Sequence, residues 1–136
     1  TPDHIICWLW SEQINAFYLD EYTGLVSNGL ITSDQAIEKD PEQVQAVVAA
    51  FLKGLDYTLA HPDEAFAIVR KQIPEMDDEA AILQRAVLGE CLEYWQAERP
   101  GYNDPAMWAE SVALLQHLGL VGEVAPSDLY SNEFIP

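Results

Sequence analysis

A segment around two neighbouring tryptophans is the part of the sequence best suited to binding a small molecule. Trp8 and Trp10 flank Leu9 at the spacing that points both indoles to one face of a β-strand, and Ser11 and Glu12 follow directly. Aromatic faces stack on flat rings or accept a cation, and a carboxylate accepts amino hydrogens. The pattern predicts a site for a planar, nitrogen-bearing ligand at the carboxyl end of a strand.

The same residues also fit a structural role. Trp8 and Trp10 could pack together in a protein core, because large aromatic side chains are mostly buried. Glu12 could then cap a helix that begins after the strand, where a negative charge complements the helix dipole. The residues alone leave both interpretations open.

Conventional catalytic and metal-binding patterns are absent from the sequence. It has no glycine-rich phosphate loop and no GxSxG or HExxH motif, and His4, His61 and His117 are widely separated. Adjacent acids such as Asp77 and Asp78 are explained by charged helix starts and solvated turns. We therefore expect no enzymatic activity, no metal site and no cofactor.

The amino-acid composition limits the classes of partner that the chain can bind. The chain has 136 residues, of which 49% are hydrophobic, and its 23 acidic and 6 basic side chains give a formal charge of −17. This acidity fits either solubility or attraction of a cationic partner. Nucleic acids and anionic membranes both attract clustered cations, so we expect binding to neither. No apolar run approaches the ~20 residues that cross a bilayer, so membrane insertion is not expected.

Helices must supply most of the framework that positions the tryptophan segment. Proline follows Asp40, His61 and Asp104, which places it where a helix would begin, and the two aspartates can accept N–H groups of the first turn. Apolar residues then recur at helical spacing. The sequence predicts helices over Asp34–Lys39, Asp40 to about Ala60, His61 to before Ile73, Asp77–Trp95 and Asp104–Gly119. The side chains predicted to face inward include Phe66, Val69, Ile82, Trp95 and Trp108.

Strand signals are confined to the first third of the chain. Ile5–Trp10 and Leu25–Thr32 are short runs rich in β-formers. The fold is therefore predicted to be mainly α with a small β component. The tail after Gly122 keeps large apolar side chains, so we expect it to be pinned to a surface.

Three segments resemble a known family. The run Gly24–Glu42 (GLVSNGLITSDQAIEKDPE) is similar to the stretch in which solute-binding proteins of ABC importers cross back between their two lobes. Gly54–Ala65 (GLDYTLAHPDEA) and the ending Asp128–Pro136 (DLYSNEFIP) also resemble this family. The similarity is to its nitrate/sulfonate/taurine group, within the branch that binds thiamine pyrimidine precursors.

The resemblance implies an architecture. It extends from Tyr22 onward and, more loosely, over Ile5–Leu19, and it corresponds to the carboxyl-terminal half of a two-lobed α/β periplasmic binding protein of type II. Residues 1–32 would be a strand-containing remnant of the second lobe with the hinge crossover. Residues 33–136 would be the helical carboxyl-terminal region of the first lobe, as a single compact unit. The chain would be either a fragment or a truncated relative.

The resemblance also implies a role. Ser11 and Glu12 resemble the family position at which an acidic residue meets the ligand, and with Trp8, Trp10 and Asn28 they form the candidate binding site. The implied function is capture of a small planar nitrogenous solute, such as a thiamine pyrimidine precursor, for an ABC permease. The implied location is the periplasm or another extracytoplasmic site, with a lipid anchor as one option in a full-length precursor.

A second class of function stays open beside this one. The chain could be a stand-alone helical interaction or structural module that has lost ligand binding. Its apolar surface, normally covered by the other half, would then form a homo-oligomer interface.

Overall fold

A computed structural model describes residues 22–26 and 28–136 of the chain, and within these residues the protein is mostly helical. The predicted mainly α fold is confirmed. The helices are α1 (Asp34–Lys39), α2 (Pro41–Ala60), α3 (Pro62–Gln72), α4 (Asp78–Tyr94) and α5 (Pro105–His117), followed by a short 3-10 helix (Pro126–Asp128).

The predicted strand over Leu25–Thr32 is wrong for the residues that the structure describes. Leu25, Val26 and residues 28–32 form neither strand nor helix. The described part of the chain has no strand with which this run could pair, and the Val26 N–H is donated to the side chain of Ser111 instead. The other predicted strand, Ile5–Trp10, lies outside the described residues.

The chain divides into two compact units, and the division passes through α2. Among the described residues, the first unit contains Leu52–Pro100, and the second contains everything up to Phe51 together with Gly101–Pro136. The predicted boundary between residues 32 and 33 stays a prediction.

In the first unit α3 packs against α4. Small side chains line the buried positions: Ala65 on α3 and Ala81 on α4 are both buried. Arg70 pairs with Asp78, and the Nε–H of Arg85 donates to Asp63 over 3.1 Å. These pairs are exposed, so each stabilises the helix pair by only about 0.2–1 kcal/mol.

The inward positions predicted for the first unit are only partly right. Phe66 is half-buried, whereas Val69, Ile82 and Trp95 are exposed, with Ile82 retaining 65% of its accessible surface. The buried positions on α3 and α4 are instead occupied by Ala65 and Ala81, which are not among the predicted inward positions.

The two predicted aspartate caps are confirmed. The Oδ1 atom of Asp40 accepts the N–H of Gln43 at 2.9 Å, and the Oδ1 atom of Asp104 accepts the N–H of Ala106 at 2.8 Å. Gly119 has a φ of 69° directly after the last turn of α5, as predicted for a glycine that ends a helix. The chemistry of the helix ends therefore sets the bounds of α2 and α5.

Replacing Asp40 or Asp104 with alanine should lower the free energy of unfolding by about 0.5–2 kcal/mol each, with the fold retained. Each substitution leaves a first-turn N–H without its acceptor. Urea unfolding followed by circular dichroism measures the change. Asp56→Ala is the control, because Asp56 is an exposed residue within α2 and alanine favours a helix interior. Equal stabilities of Asp40→Ala and Asp56→Ala would contradict the capping role.

Candidate functional site

The structure describes one of the five candidate ligand-binding residues, Asn28. Asn28 is exposed. It belongs to the segment 22–32, here called the crossover segment, which precedes α1 and in which residues 22–26 and 28–32 form neither helix nor strand. The roles proposed for all five residues stay predictions. The candidate residues outside the described part of the chain are Trp8, Trp10, Ser11 and Glu12.

The crossover segment is attached to α5 within the second unit. The hydroxyl of Thr23 donates to Oε1 of Glu110 at 2.7 Å, and the N–H of Gly24 donates to the same oxygen at 3.3 Å. The N–H of Val26 donates to Oγ of Ser111 at 2.9 Å, and the Ser111 hydroxyl donates to the carbonyl of Gly24 at 3.5 Å. Two adjacent residues of α5 thus hold the start of the segment that carries Asn28.

The carboxyl-terminal tail is pinned to the start of α5, as predicted. The N–H of Asn103 donates to Oδ1 of Asn132 at 2.8 Å, and Nδ2 of Asn132 donates back to the carbonyl of Asn103 at 3.0 Å. The indole Nε1–H of Trp108 donates to Oδ1 of Asn103 at 3.1 Å. Trp108 also stacks on Tyr130, with ring centroids 5.3 Å apart and planes 20° from parallel. We call these four residues the tail clasp.

A tyrosine with a shifted pKa lies in the first unit. The ring centroid of Tyr57 lies 4.9 Å from that of His61. A side-chain hydrogen bond with Glu64, aided by partial desolvation and by the negative charge of Glu64, raises the pKa of Tyr57 above its ordinary value of 10.0. Because the phenol stays protonated at neutral pH, this group contributes a hydrogen-bond donor rather than a catalytic base.

Glu64→Gln should lower the pKa of Tyr57 toward its ordinary value, because a neutral amide is a weaker hydrogen-bond acceptor for the phenol than the carboxylate and carries no charge to oppose the phenolate. Tyrosine absorbance in an alkaline titration measures this, with Tyr57→Phe identifying the contribution of Tyr57. The folded pKa is raised, so the stabilisation is present below the unfolded pKa of about 10 and is lost as pH rises through the folded pKa. Identical titrations of Glu64→Gln and the parent would contradict the assignment.

The described residues contain neither a membrane-spanning helix nor a group of metal-binding side chains. None of the described helices combines the length and apolar composition that crossing a membrane requires. In the same part of the chain, no three His, Cys, Asp or Glu side chains are grouped so that they could hold a metal ion.

Comparison with known proteins gives the class first. Residues 9–65 match the family model described as NMT1/THI5 like, and this range includes Trp10, Ser11, Glu12 and Asn28. The chain is also similar to a particular protein, the riboflavin-binding protein RibY of Chloroflexus aurantiacus, with 36% identity over 132 residues. Both matches confirm the resemblance to solute-binding proteins of ABC importers. No solved structure matches the chain.

The alignment covers very different shares of this chain and of RibY. The match takes in 91% of this chain but only 37% of RibY, so the chain spans little more than a third of the length of this curated relative. Because RibY is named as a binding protein, the comparison agrees with the prediction that the chain is not an enzyme.

Sequence reasoning did not find Glu110 and Ser111. A signal for Ser111 was present, since Trp108, Ser111, Val112 and Leu115 follow the spacing of one helix face. A serine on a predicted inward face needs a hydrogen-bond partner, because a buried hydroxyl is costly without one. No pattern in the sequence indicates that the partner is backbone more than 80 residues earlier.

Proposed function

We propose that the chain provides one side of the binding site in an extracytoplasmic solute-binding protein that delivers its ligand to an ABC permease. The observation that carries this proposal is the family match over residues 9–65, because it includes four of the five candidate ligand-binding residues. The relative's name adds that a protein similar over most of this chain binds riboflavin.

The proposed ligand class is a small planar nitrogen heterocycle. Riboflavin and the pyrimidine precursors of thiamine differ in size, but both present a flat ring face and N–H groups. Stacked indoles from Trp8 and Trp10 would accept the ring face, and the Glu12 carboxylate would accept the N–H groups. The likeness to RibY favours a flavin, and the sequence resemblance favours an aminopyrimidine, so both serve as probes.

The chain alone should bind such a ligand weakly. Stacking together with one charge-assisted hydrogen bond supplies about 2–4 kcal/mol, which corresponds to millimolar or weaker affinity. The remaining contacts of a tight site would come from sequence corresponding to the part of RibY that this chain does not match.

The experiment is a nuclear magnetic resonance titration that follows the indole N–H signals of the four tryptophans. Riboflavin or an aminopyrimidine should shift the signals of Trp8 and Trp10. The signals of Trp95 and Trp108 serve as internal controls and should stay in place, since the indole N–H of Trp108 already donates to Asn103. Shifts confined to the two control tryptophans, or no shifts with either probe, would contradict the proposal.

One observation favours the alternative function, a helical interaction module that forms homo-oligomers. Val47 and Phe51 lie one turn apart on α2 and are both more than half exposed. The charge of −17 opposes association, but at ~0.15 M salt it is screened beyond about 8 Å. Light scattering that gives an oligomer mass, with no solute-induced shifts, would favour the module, whereas a monomer mass would contradict it.

A further inference from the structure

We infer that Glu110 and Ser111 of α5 are positioning residues for Asn28, the described member of the proposed solute site, an inference that rests on the proposed function. They hold the backbone of Thr23–Val26, and Asn28 follows two residues later. Because the described residues of the crossover segment form no helix or strand, side-chain contacts take the place of regular backbone pairing.

Glu110 and Ser111 together form an anchor for the crossover segment, and Ser111 is its buried half. Its side chain is the most deeply buried polar group in the described part of the chain, in a residue that is only 2% exposed. Its hydroxyl accepts the N–H of Val26 at 2.9 Å and donates to the carbonyl of Gly24 at 3.5 Å, so it pairs with a backbone donor and a backbone acceptor two residues apart. These bonds offset the desolvation of the hydroxyl and fix the direction in which the chain leaves Val26.

Glu110 is the outer half. A single carboxylate oxygen accepts both the Thr23 hydroxyl at 2.7 Å and the Gly24 N–H at 3.3 Å. Hydrogen bonds to an ionised acceptor are about twice as strong as neutral ones. Glu110 therefore holds the segment at Thr23 and Gly24, and Ser111 holds it at Val26, two residues before Asn28.

Helix α5, which carries the anchor, is itself fixed at both ends. Asp104 caps the first turn of α5, and Gly119 terminates the helix. The tail clasp adds the stacking of Trp108, one turn before Ser111, on Tyr130. A binding site functions well only when the residues that support its contact residues are held rigidly. Loss of the Ser111 hydrogen bonds should therefore lower the affinity for the solute.

The first test compares Ser111→Ala with Ser111→Thr. Alanine removes the acceptor for Val26, so exchange of the Val26 amide hydrogen should become about tenfold faster, and solute affinity should fall in parallel. Threonine keeps the hydroxyl and should restore both values. Ser127→Ala is the matched control, because Ser127 is exposed and its hydroxyl donates to the neighbouring Asp128. Unchanged protection of the Ala113 amide shows that α5 stays folded.

The second test uses Glu110→Gln, which does not disturb the core because Glu110 is exposed. Glutamine keeps the shape and removes the charge, so the exchange of the Gly24 amide should increase several-fold and affinity should fall. Glu123→Gln makes the same change in net charge at another exposed position of the unit and should alter neither value.

The outcomes of these tests distinguish the anchor and its positioning role from the proposed function. Unchanged Val26 exchange in Ser111→Ala overturns the anchor, whether or not the parent binds a probe. Faster exchange with unchanged solute affinity overturns the positioning role and leaves the proposed function standing. A parent that binds neither probe overturns the proposed function and the positioning role together, while the exchange data still show whether the anchor forms.

Discussion

Replacing Asn103 with alanine is expected to release the carboxyl-terminal tail and to lower the free energy of unfolding by about 2–4 kcal/mol. The change leaves the part-buried indole N–H of Trp108 without its acceptor, which is 3.1 Å away in the parent. It also removes the donor that reaches the Ser131 carbonyl at 3.2 Å and Oδ1 of Asn132 at 3.3 Å. Urea unfolding measures the free energy, and near-ultraviolet circular dichroism reports on the stack of Trp108 with Tyr130.

A double-mutant cycle tests whether the clasp acts as a unit. Asn132→Ala removes the partner of both backbone groups of Asn103, so the two single losses should not add in the double variant. Asn28→Ala is the matched control, because Asn28 is an exposed asparagine of the same unit, and its loss should change stability by no more than about 0.5 kcal/mol. Additive losses would show that Asn103 and Asn132 stabilise the unit independently.

The helices could be predicted well because their ends depend on local chemistry. Asp40 and Asp104 each precede a proline, and each carboxylate accepts an N–H of the turn that follows it. Ser33 likewise accepts the N–H of Ala36 at 3.3 Å, which starts α1 where the sequence predicts it. When a side chain accepts a hydrogen bond from an N–H two or three residues ahead, the cap and its partner are close enough in sequence to be recognised as a motif.

Features that depend on distant residues could not be predicted in the same way. Leu25–Thr32 has the composition of a strand, but a strand forms only beside another strand, and the described residues provide none. Val26 is instead held by Ser111, which lies 85 positions away in the sequence. Composition predicted the wrong local structure here because it contains no information about which group the backbone meets.

The candidate site is likewise predictable only in the part that depends on neighbouring residues in the sequence. The order of Trp8, Trp10 and Glu12 suggests a ligand, because the required residue types are close in sequence and strand spacing determines their faces. Glu110 and Ser111 act on the crossover segment through the tertiary fold, so no short motif contains both the anchors and their targets. Recognition motifs can therefore be found from sequence, whereas the residues that hold them require a structure.

Glu12→Gln should weaken solute binding about tenfold, the largest effect on affinity that we expect from a single substitution. Glutamine keeps the shape of the side chain but turns a charge-assisted hydrogen bond into a neutral one and places its own N–H groups near those of the ligand. A hydrogen bond to a charged group contributes about 1.5–3 kcal/mol and a neutral one about 0.5–1.5 kcal/mol. The difference of about 1–1.5 kcal/mol corresponds to about a factor of ten in affinity. The indole signals of Trp8 and Trp10 in the solute titration measure the change.

The same variant distinguishes the ligand site from the structural interpretation. If Glu12 caps a helix, the loss of its charge should lower stability by about 0.3–1 kcal/mol and leave solute binding as it was in the parent. Glu123→Gln controls for the common change in net charge, since Glu123 is exposed and lies outside the predicted site. Weaker binding in Glu12→Gln with the stability of the parent supports ligand contact, because a residue that acts only as a cap has no means of affecting affinity without first affecting the fold. Reduced stability with unchanged affinity would remove Glu12 from the proposed site.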